Sequence, residues 1–263
     1  MKLILASSKD LAAKNIYERL LELYDFEKST DLKNLYVSKQ ALLALVDGET
    51  TKITSLPARA DELIVASRHA SESGKPSLTV HVPGELEKGE LALASPRTVK
   101  IALQSLKAAN DDMELNYDVS LEATHHGPTK LAVPVTFVEI GSKPEQWVDK
   151  KAGEAVARAL MEAAALNVKC SNAVGFGGPH YAPRHTEVTL RTVVGIGHIL
   201  PKYANFNEKL AELAVLRTHG GTQLLALDWK GMSEEQRNIC QKVANSLRIQ
   251  AERSKSILAI EKL

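Results

Sequence analysis

Cysteine is almost missing from this chain of 263 residues: Cys170 and Cys240 are the only two, far apart and in no CxxC spacing. That argues against a disulfide framework and a thiolate zinc knuckle, and it fits a reducing, cytoplasmic setting. An excess of one charge is missing too. With 33 Lys and Arg against 32 Asp and Glu, the net charge of +1 provides no global field to gather nucleic acid, so such a partner needs a local patch. Long hydrophobic runs are absent: ALLALV at 41–46 is far too short to cross a bilayer, and MKLILASSKD turns polar too soon to read as an export signal. Neither a membrane nor DNA is expected as a partner. GxxxxGK[ST], a complete GxGxxG, HExxH and GxSxG are absent as well, which removes the usual support for P-loop hydrolysis, Rossmann dehydrogenation, zincin proteolysis and a nucleophile elbow.

What is present is an ordinary globular composition, 44% hydrophobic, arranged as alternating strand and helix patterns. KLILASS predicts a buried strand, and Asp10 then caps a helix through LAAKNIYERLLEL. LYVSK, ALLALVD, ELIVASR and SLTVHV predict strands up to residue 82, and Ser95 with Pro96 opens a helix through TVKIALQSLKAAN. SLEAT and VPVTFVEI predict two more strands, and residues 143–164 a single amphipathic helix. After a glycine-rich loop, EVTLRTVVGIG at 187–197 reads as β-rich, NEKLAELAVLRTHG as a helix and TQLLALD as a strand. Ser233 with Gln236 forms a capping box for the last long helix. The alternation predicts one α/β domain over 1–263, a mixed and largely buried sheet with helices on its faces.

Polar residues collect where the strands end. VPVTFVEIGS is apolar until Glu139, and LEATHHGPT closes a strand with Glu122, Thr124, His125 and His126. In an extended chain Glu122, Thr124 and His126 share a face while His125 points the other way, so the two histidines take different roles unless the backbone turns at Gly127. GFGGPHYAPRHTE, 175–187, reads as an ordered loop whose Gly177 and Gly178 let backbone N–H groups approach a ligand, beside His180, Arg184 and His185. SRHASESGKPSLTVHVPG carries Ser67, His69, Ser71 and His81, and VVGIGHILPKY carries His198. Seven of the eight histidines thus lie at loops or strand ends, where α/β sheets bind ligands. A pocket of His, Glu and Ser suits hydrolysis by an activated water.

Together SRHASESGKPSLTVHVPG, LEATHHGPT, FVEIGS with Trp147, GFGGPHYAPRHTE and GHILPKY resemble the archaeal and plant type of D-aminoacyl-tRNA deacylase. HVPGE at 81–85 departs slightly, with Glu85 where the family pattern has asparagine. The resemblance implies a fold like the phosphorylase and peptidyl-tRNA hydrolase group, and hydrolysis of the ester between a D-amino acid and tRNA. It also implies a link to aldehyde-modified D-aminoacyl-tRNA, and zinc as cofactor. On this reading the catalytic candidates are His125, His126, Glu139, Glu122, His180 and His185. Ser67, His69, Ser71, Gly177, Gly178 and Arg184 would bind substrate. His81 and His198 would hold zinc, completed from His125, His126, Glu139 or His180. Arg97, Lys100 and Lys107, spaced i, i+3 and i+10, would form a basic stripe on which a tRNA stem lies. A monomer or small homo-oligomer is expected. The competing readings are a nucleoside or peptidyl-tRNA processing enzyme of the same fold, and a tRNA-binding module with a structural zinc.

Overall fold

Residues 1–260 are described by a computed structural model. The chain opens with β1 (Lys2–Ser7) and α1 (Leu11–Leu23), whose first turn is closed by the Asp10 carboxylate accepting from the N–H groups of Ala12 and Ala13 at 2.9 and 3.1 Å. β2 (Glu27–Lys28), β3 (Leu35–Val37), β4 (Ala41–Val46), β5 (Leu63–Arg68) and β6 (Ser77–His81) follow. A short hairpin, β7 (Gly84–Glu85) with β8 (Glu90–Leu91), leads to α2 (Pro96–Asp112), β9 (Asp118–Leu121) and β10 (Val135–Gly141).

The expected helix over 143–164 is two helices, α3 (Pro144–Trp147) and α4 (Lys150–Ala165). Asp149 leaves the helical conformation between them and caps α4 through the N–H of Lys151 at 2.9 Å. β11 (Ser171–Phe176) comes next. The predicted loop up to residue 187 and the predicted β-rich run after it are both corrected: Pro183 starts α5 (Pro183–Arg191), which takes up the end of the first and the beginning of the second. β12 (Val194–Leu200), α6 (Glu208–Leu216), β13 (Leu224–Leu227), α7 (Glu234–Leu247), β14 (Gln250–Arg253) and α8 (Ser254–Ile260) complete the described chain. α7 has the predicted capping box of Ser233 and Gln236, bonded both ways at 3.1 Å.

The α/β class and the large mixed sheet are as expected. Eight strands lie in the order β2-β3-β4-β1-β5-β10-β6-β9, with β4, β1, β5 and β10 parallel and β2 and β3 antiparallel. A second sheet, β12-β11-β13-β14, is parallel throughout. The chain divides into two compact units: Met1–Val80, Ile101–Val119 and Leu131–Leu166 form the first, and His81–Lys100, Ser120–Lys130 and the chain from Asn167 form the second. Each is entered more than once, which is why no linker marks a boundary in the sequence. In the first unit α1 and α4 pack on each other and on the parallel strands around β1 and β5. In the second, Val174, Phe176, Leu200, Leu225 and Leu227 of the four-stranded sheet pack with Phe206, Ala211, Val215, Cys240 and Val243.

Candidate active site

In the second unit the segment after β9 is held on both sides by backbone bonds. The N–H of Ala123 reaches the carbonyl of His180 at 2.7 Å, that of Thr124 reaches Ile199 at 2.9 Å, and Gly84 donates to the carbonyl of His125 at 3.2 Å. The Thr124 hydroxyl accepts from the N–H of Ile199 and donates to Nδ1 of His198, both at 3.1 Å. So anchored, the segment places the Glu122 carboxylate in a ring of imidazoles. Its Oε2 lies 3.5 Å from Nδ1 of His81, 3.6 Å from Nε2 of His125 and 3.8 Å from Nε2 of His180. The side chains of His81 and Glu122 have no exposed surface, while those of His125 and His180 are 32% and 33% exposed and form the wall that solvent reaches.

The two adjacent histidines lie together after all. The backbone turns one residue before Gly127, at His126 itself, which has a φ of 41°, a left-handed conformation that costs a non-glycine residue on the order of 1–3 kcal/mol. This turn brings both rings to one side: the His125 and His126 centroids are 4.5 Å apart, and each is within 4.8 Å of the His81 centroid. Nε2 of His126 is 3.1 Å from Nε2 of His81. Burial, reinforced by the neighbouring His125, pulls the His126 imidazole down to about 4.

The donor chemistry fits a metal ion. Nδ1 of His125 donates to the Ala123 carbonyl at 2.8 Å, Nδ1 of His126 donates to the Gly127 carbonyl at 2.6 Å, and Nδ1 of His81 faces Glu122. An imidazole whose Nδ1 proton is taken by an oxygen keeps its lone pair on Nε2, the arrangement in which histidines bind zinc. Ring nitrogens of His81, His125 and His126 lie within 4.8 Å of one another, as do those of His125 and His180 with a Glu122 oxygen. Tyr203 joins the site without being one of the sequence candidates. Its hydroxyl is 3.0 Å from Nδ1 of His180 and so fixes the ring that faces Glu122, while burial and the Glu122 charge raise the phenol's own pKa. The only sequence signal was its place just beyond β12, in GHILPKY.

Several expected site residues are placed otherwise. Both nitrogens of His198 are taken: Nδ1 by the Thr124 hydroxyl, Nε2 by donation to the Ala92 carbonyl at 2.9 Å. Its ring is wholly buried, so it supports the segment and has no lone pair for a metal. His185 is also wholly buried, with Nε2 3.3 Å from the Gly177 carbonyl. The N–H groups of Gly177 and Gly178 are not available to an oxyanion, because they donate to the carbonyls of Leu200 and Gly231 at 2.8 and 3.0 Å. Glycine is needed at 177 for close approach: with φ at 86°, a Cβ there would lie 2.3 Å from Met232 Cγ. Arg184 pairs with Glu187 at 3.0 Å. The basic stripe does not exist as expected. Lys100 is buried, its ammonium donating to the carbonyls of Thr189 and Thr192 at 2.6 and 2.5 Å; Arg97 donates to Asn167 at 2.7 Å and Lys107 pairs with Asp111 at 2.5 Å.

The remaining candidates belong to the first unit. Parallel pairing of β5 with β10 sets Ser67 opposite Glu139, and the Glu139 carboxylate meets Nδ1 of His69 at 3.6 Å. The carbonyl of His69 accepts from the Trp147 indole at 2.9 Å, and the Ser71 hydroxyl is 3.0 Å from that of Ser73.

The profile of a family described as D-aminoacyl-tRNA deacylase matches residues 56–252 of this chain. D-aminoacyl-tRNA deacylases of Pyrococcus furiosus and Thermococcus kodakarensis are 36% and 38% identical to it, each alignment covering 94% of this chain and 97% of the other protein. That of Archaeoglobus fulgidus is 32% identical over 98% of both. A crystal structure of AF0625, described as a conserved protein of unknown function, superposes with a TM-score of 0.89 at 30% identity, covering 98% of this chain and 97% of that one.

Proposed function

Because the chain belongs to the D-aminoacyl-tRNA deacylase family and hydrolyses the ester of D-aminoacyl-tRNA, we propose that the imidazole ring around Glu122 is where it does so. The observation that carries this reading is the convergence of three imidazoles on one buried carboxylate, with two of the rings open to solvent. An aminoacyl ester is an activated acyl group, so a positioned water, a base and a proton donor suffice without a covalent nucleophile. Glu122 is the base: its Oε2 takes the proton of the attacking water. His180, with Nε2 3.8 Å from that oxygen, receives the proton and delivers it to the departing ribose oxygen. Tyr203 holds the other nitrogen of His180 and so keeps Nε2 turned towards Glu122.

His81, His125 and His126 would hold zinc through Nε2, and zinc when bound there would make water more acidic and polarise the ester carbonyl. His126 stays neutral across the physiological range, as a ligand must, since burial has moved its protonation to about pH 4. We further take residues 1–263 to work as one deacylase domain, in the cytoplasm where aminoacyl-tRNA is made, consistent with two free cysteines. In the first unit Ser67 and His69 remain candidates for binding substrate, and Glu139 a candidate for catalysis.

The decisive experiment incubates the protein with matched D- and L-aminoacyl-tRNA and follows release of free amino acid. Release from the D ester with the L ester spared is expected, and aldehyde-modified D-aminoacyl-tRNA should be cleaved too. Intact D ester, with cleavage of peptidyl-tRNA or a nucleoside instead, would overturn the reading.

A further inference from the structure

With the stripe on α2 gone, the tRNA needs another surface, and the C-terminal edge of the four-stranded parallel sheet carries one. Trp229, just after β13, is flanked by two guanidinium groups, Arg237 at 4.7 Å and Arg253 at 4.2 Å from the ring centroid. Arg237 also grips the Trp229 carbonyl through Nε at 3.1 Å and a terminal nitrogen at 2.6 Å. The stack holds both cations in place before any ligand arrives, so little side-chain entropy is left to lose on binding. Lys230 and Lys202 are exposed beside it. The Lys202 N–H donates to the Gly178 carbonyl at 2.9 Å, and the Gly178 N–H donates to the Gly231 carbonyl at 3.0 Å.

These bonds join the patch to the reaction centre within one unit. Gly178 is two residues from His180, Gly231 is two residues from Trp229, and Lys202 adjoins Tyr203. At no more than about 3.6 Å per residue, His180 and Trp229 are within roughly 20 Å of each other along this path. The charges are also unneutralised. Lys88, Lys130, Arg184 and Lys242 of the same unit each have a carboxylate within 3.8 Å, whereas Lys202, Lys230, Arg237 and Arg253 have none among the described residues. Two neighbouring acids are engaged elsewhere: the Asp228 carboxylate packs against Gly178 and Gly231, and Glu252 accepts from Gln250 at 2.9 Å.

We propose that Lys202, Lys230, Arg237 and Arg253 form the surface along which the single-stranded 3′ end of the tRNA lies, with their cations on its phosphates. The proposal rests on the deacylase reading for the identity of the ligand. Guanidinium groups lying on an aromatic ring suit it, because their edges meet phosphate and their outer faces accept an unstacked base. It also explains how a chain with a net charge of +1 holds a polyanion.

The test is binding of fluorescently labelled, uncharged tRNA, measured by anisotropy at several salt concentrations. The variant Lys202→Gln/Lys230→Gln/Arg253→Gln should raise Kd about tenfold or more at low salt and flatten the log–log salt slope by about 2, near 0.7 per lost single-strand contact. Arg253→Gln alone, the milder change if the triple variant melts early, should flatten it by about 0.7, and Arg253→Lys should restore most of the affinity. A control that removes the same charge from the first unit, Lys28→Gln/Lys33→Gln/Lys39→Gln, should bind like the parent chain. Parent-like Kd and slope in the patch variants, or equal weakening in the control, would overturn the proposal and leave the Trp229 stack as a structural clamp. Turnover of D-aminoacyl-tRNA by the parent chain is measured alongside. Binding through the patch without turnover defeats the deacylase reading alone, whereas turnover with an indifferent patch defeats this proposal alone.

Discussion

Glu122, a carboxylate with no exposed surface, is tolerable only with polar partners around it, and ring nitrogens of His81, His125 and His180 lie 3.5 to 3.8 Å from it. Glu122→Gln keeps the shape but removes the proton acceptor, so kcat for D-aminoacyl-tRNA should fall by about 10²-fold or more with the fold retained, as single-turnover kinetics will read. An unchanged rate would move the base elsewhere. His198 makes a separate, thermodynamic prediction. Burial holds its imidazole at about 4, against 6.5 for the free group, so the unfolded chain binds this proton more tightly than the native one. The stability it contributes is therefore complete above pH 6.5 and is lost as pH falls through 4. Between pH 7.5 and 5 it should account for a loss of roughly 2 kcal/mol at about 1.4 kcal/mol per pH unit. Urea unfolding at both values checks this, since His198→Gln, which cannot titrate, should show a smaller drop by that amount.

Among the elements, the contact of α1 with α4 is the most tightly specified. Asn15 of α1 donates to the carbonyls of Trp147 and Asp149 at 3.0 and 2.8 Å, tying α1 to the break between α3 and α4. Gly153 of α4 makes room for it, because a Cβ there would lie 2.5 Å from Asn15 Oδ1. Helix propensity alone favours alanine at 153 by up to about 1 kcal/mol. The clash and the displaced Asn15 bonds outweigh that gain, so Gly153→Ala should destabilise the protein by roughly 1–3 kcal/mol. A higher denaturation midpoint for the variant would show that Asn15 can move aside at no cost. The same reading applies to the turn after β11, where glycine at 177 serves the packing of Met232 and its N–H goes to the Leu200 carbonyl.

For the molecule as a whole, the three-histidine group predicts a link between metal and stability. A cation that binds the native chain and not the unfolded one stabilises it by about 2.7 kcal/mol at a free concentration a hundred times its Kd. Zinc added to chelator-treated protein should raise the unfolding midpoint accordingly, and His81→Ala or His126→Ala should abolish the increase. An equal shift in those variants would place any bound zinc outside this cluster. Turnover should follow the same pattern, lost on chelation and restored by zinc.

What could be read along the chain is what neighbouring residues settle among themselves. Asp10 before an apolar helical repeat, Ser233 three residues ahead of Gln236, and the period of ALLALV and VTFVEIG each specify an element through bonds a few positions long. The grouping of His125, His126, Glu122 and His180 was legible too, because polar residues ending apolar strands point to a site. The sequence was misleading wherever a distant partner outbids the local pattern. Lys100 looks like a surface lysine on a helix, but carbonyls some 90 positions away satisfy its ammonium and bury it. His198 looks like a ligand until Ala92 and Thr124, 106 and 74 residues earlier, take both of its nitrogens. Gly177 and Gly178 look like anion binders until Leu200 and Gly231 take their N–H groups. A buried donor or lone pair must be satisfied by whatever the fold brings to it, and spacing along the chain carries no record of those long-range neighbours.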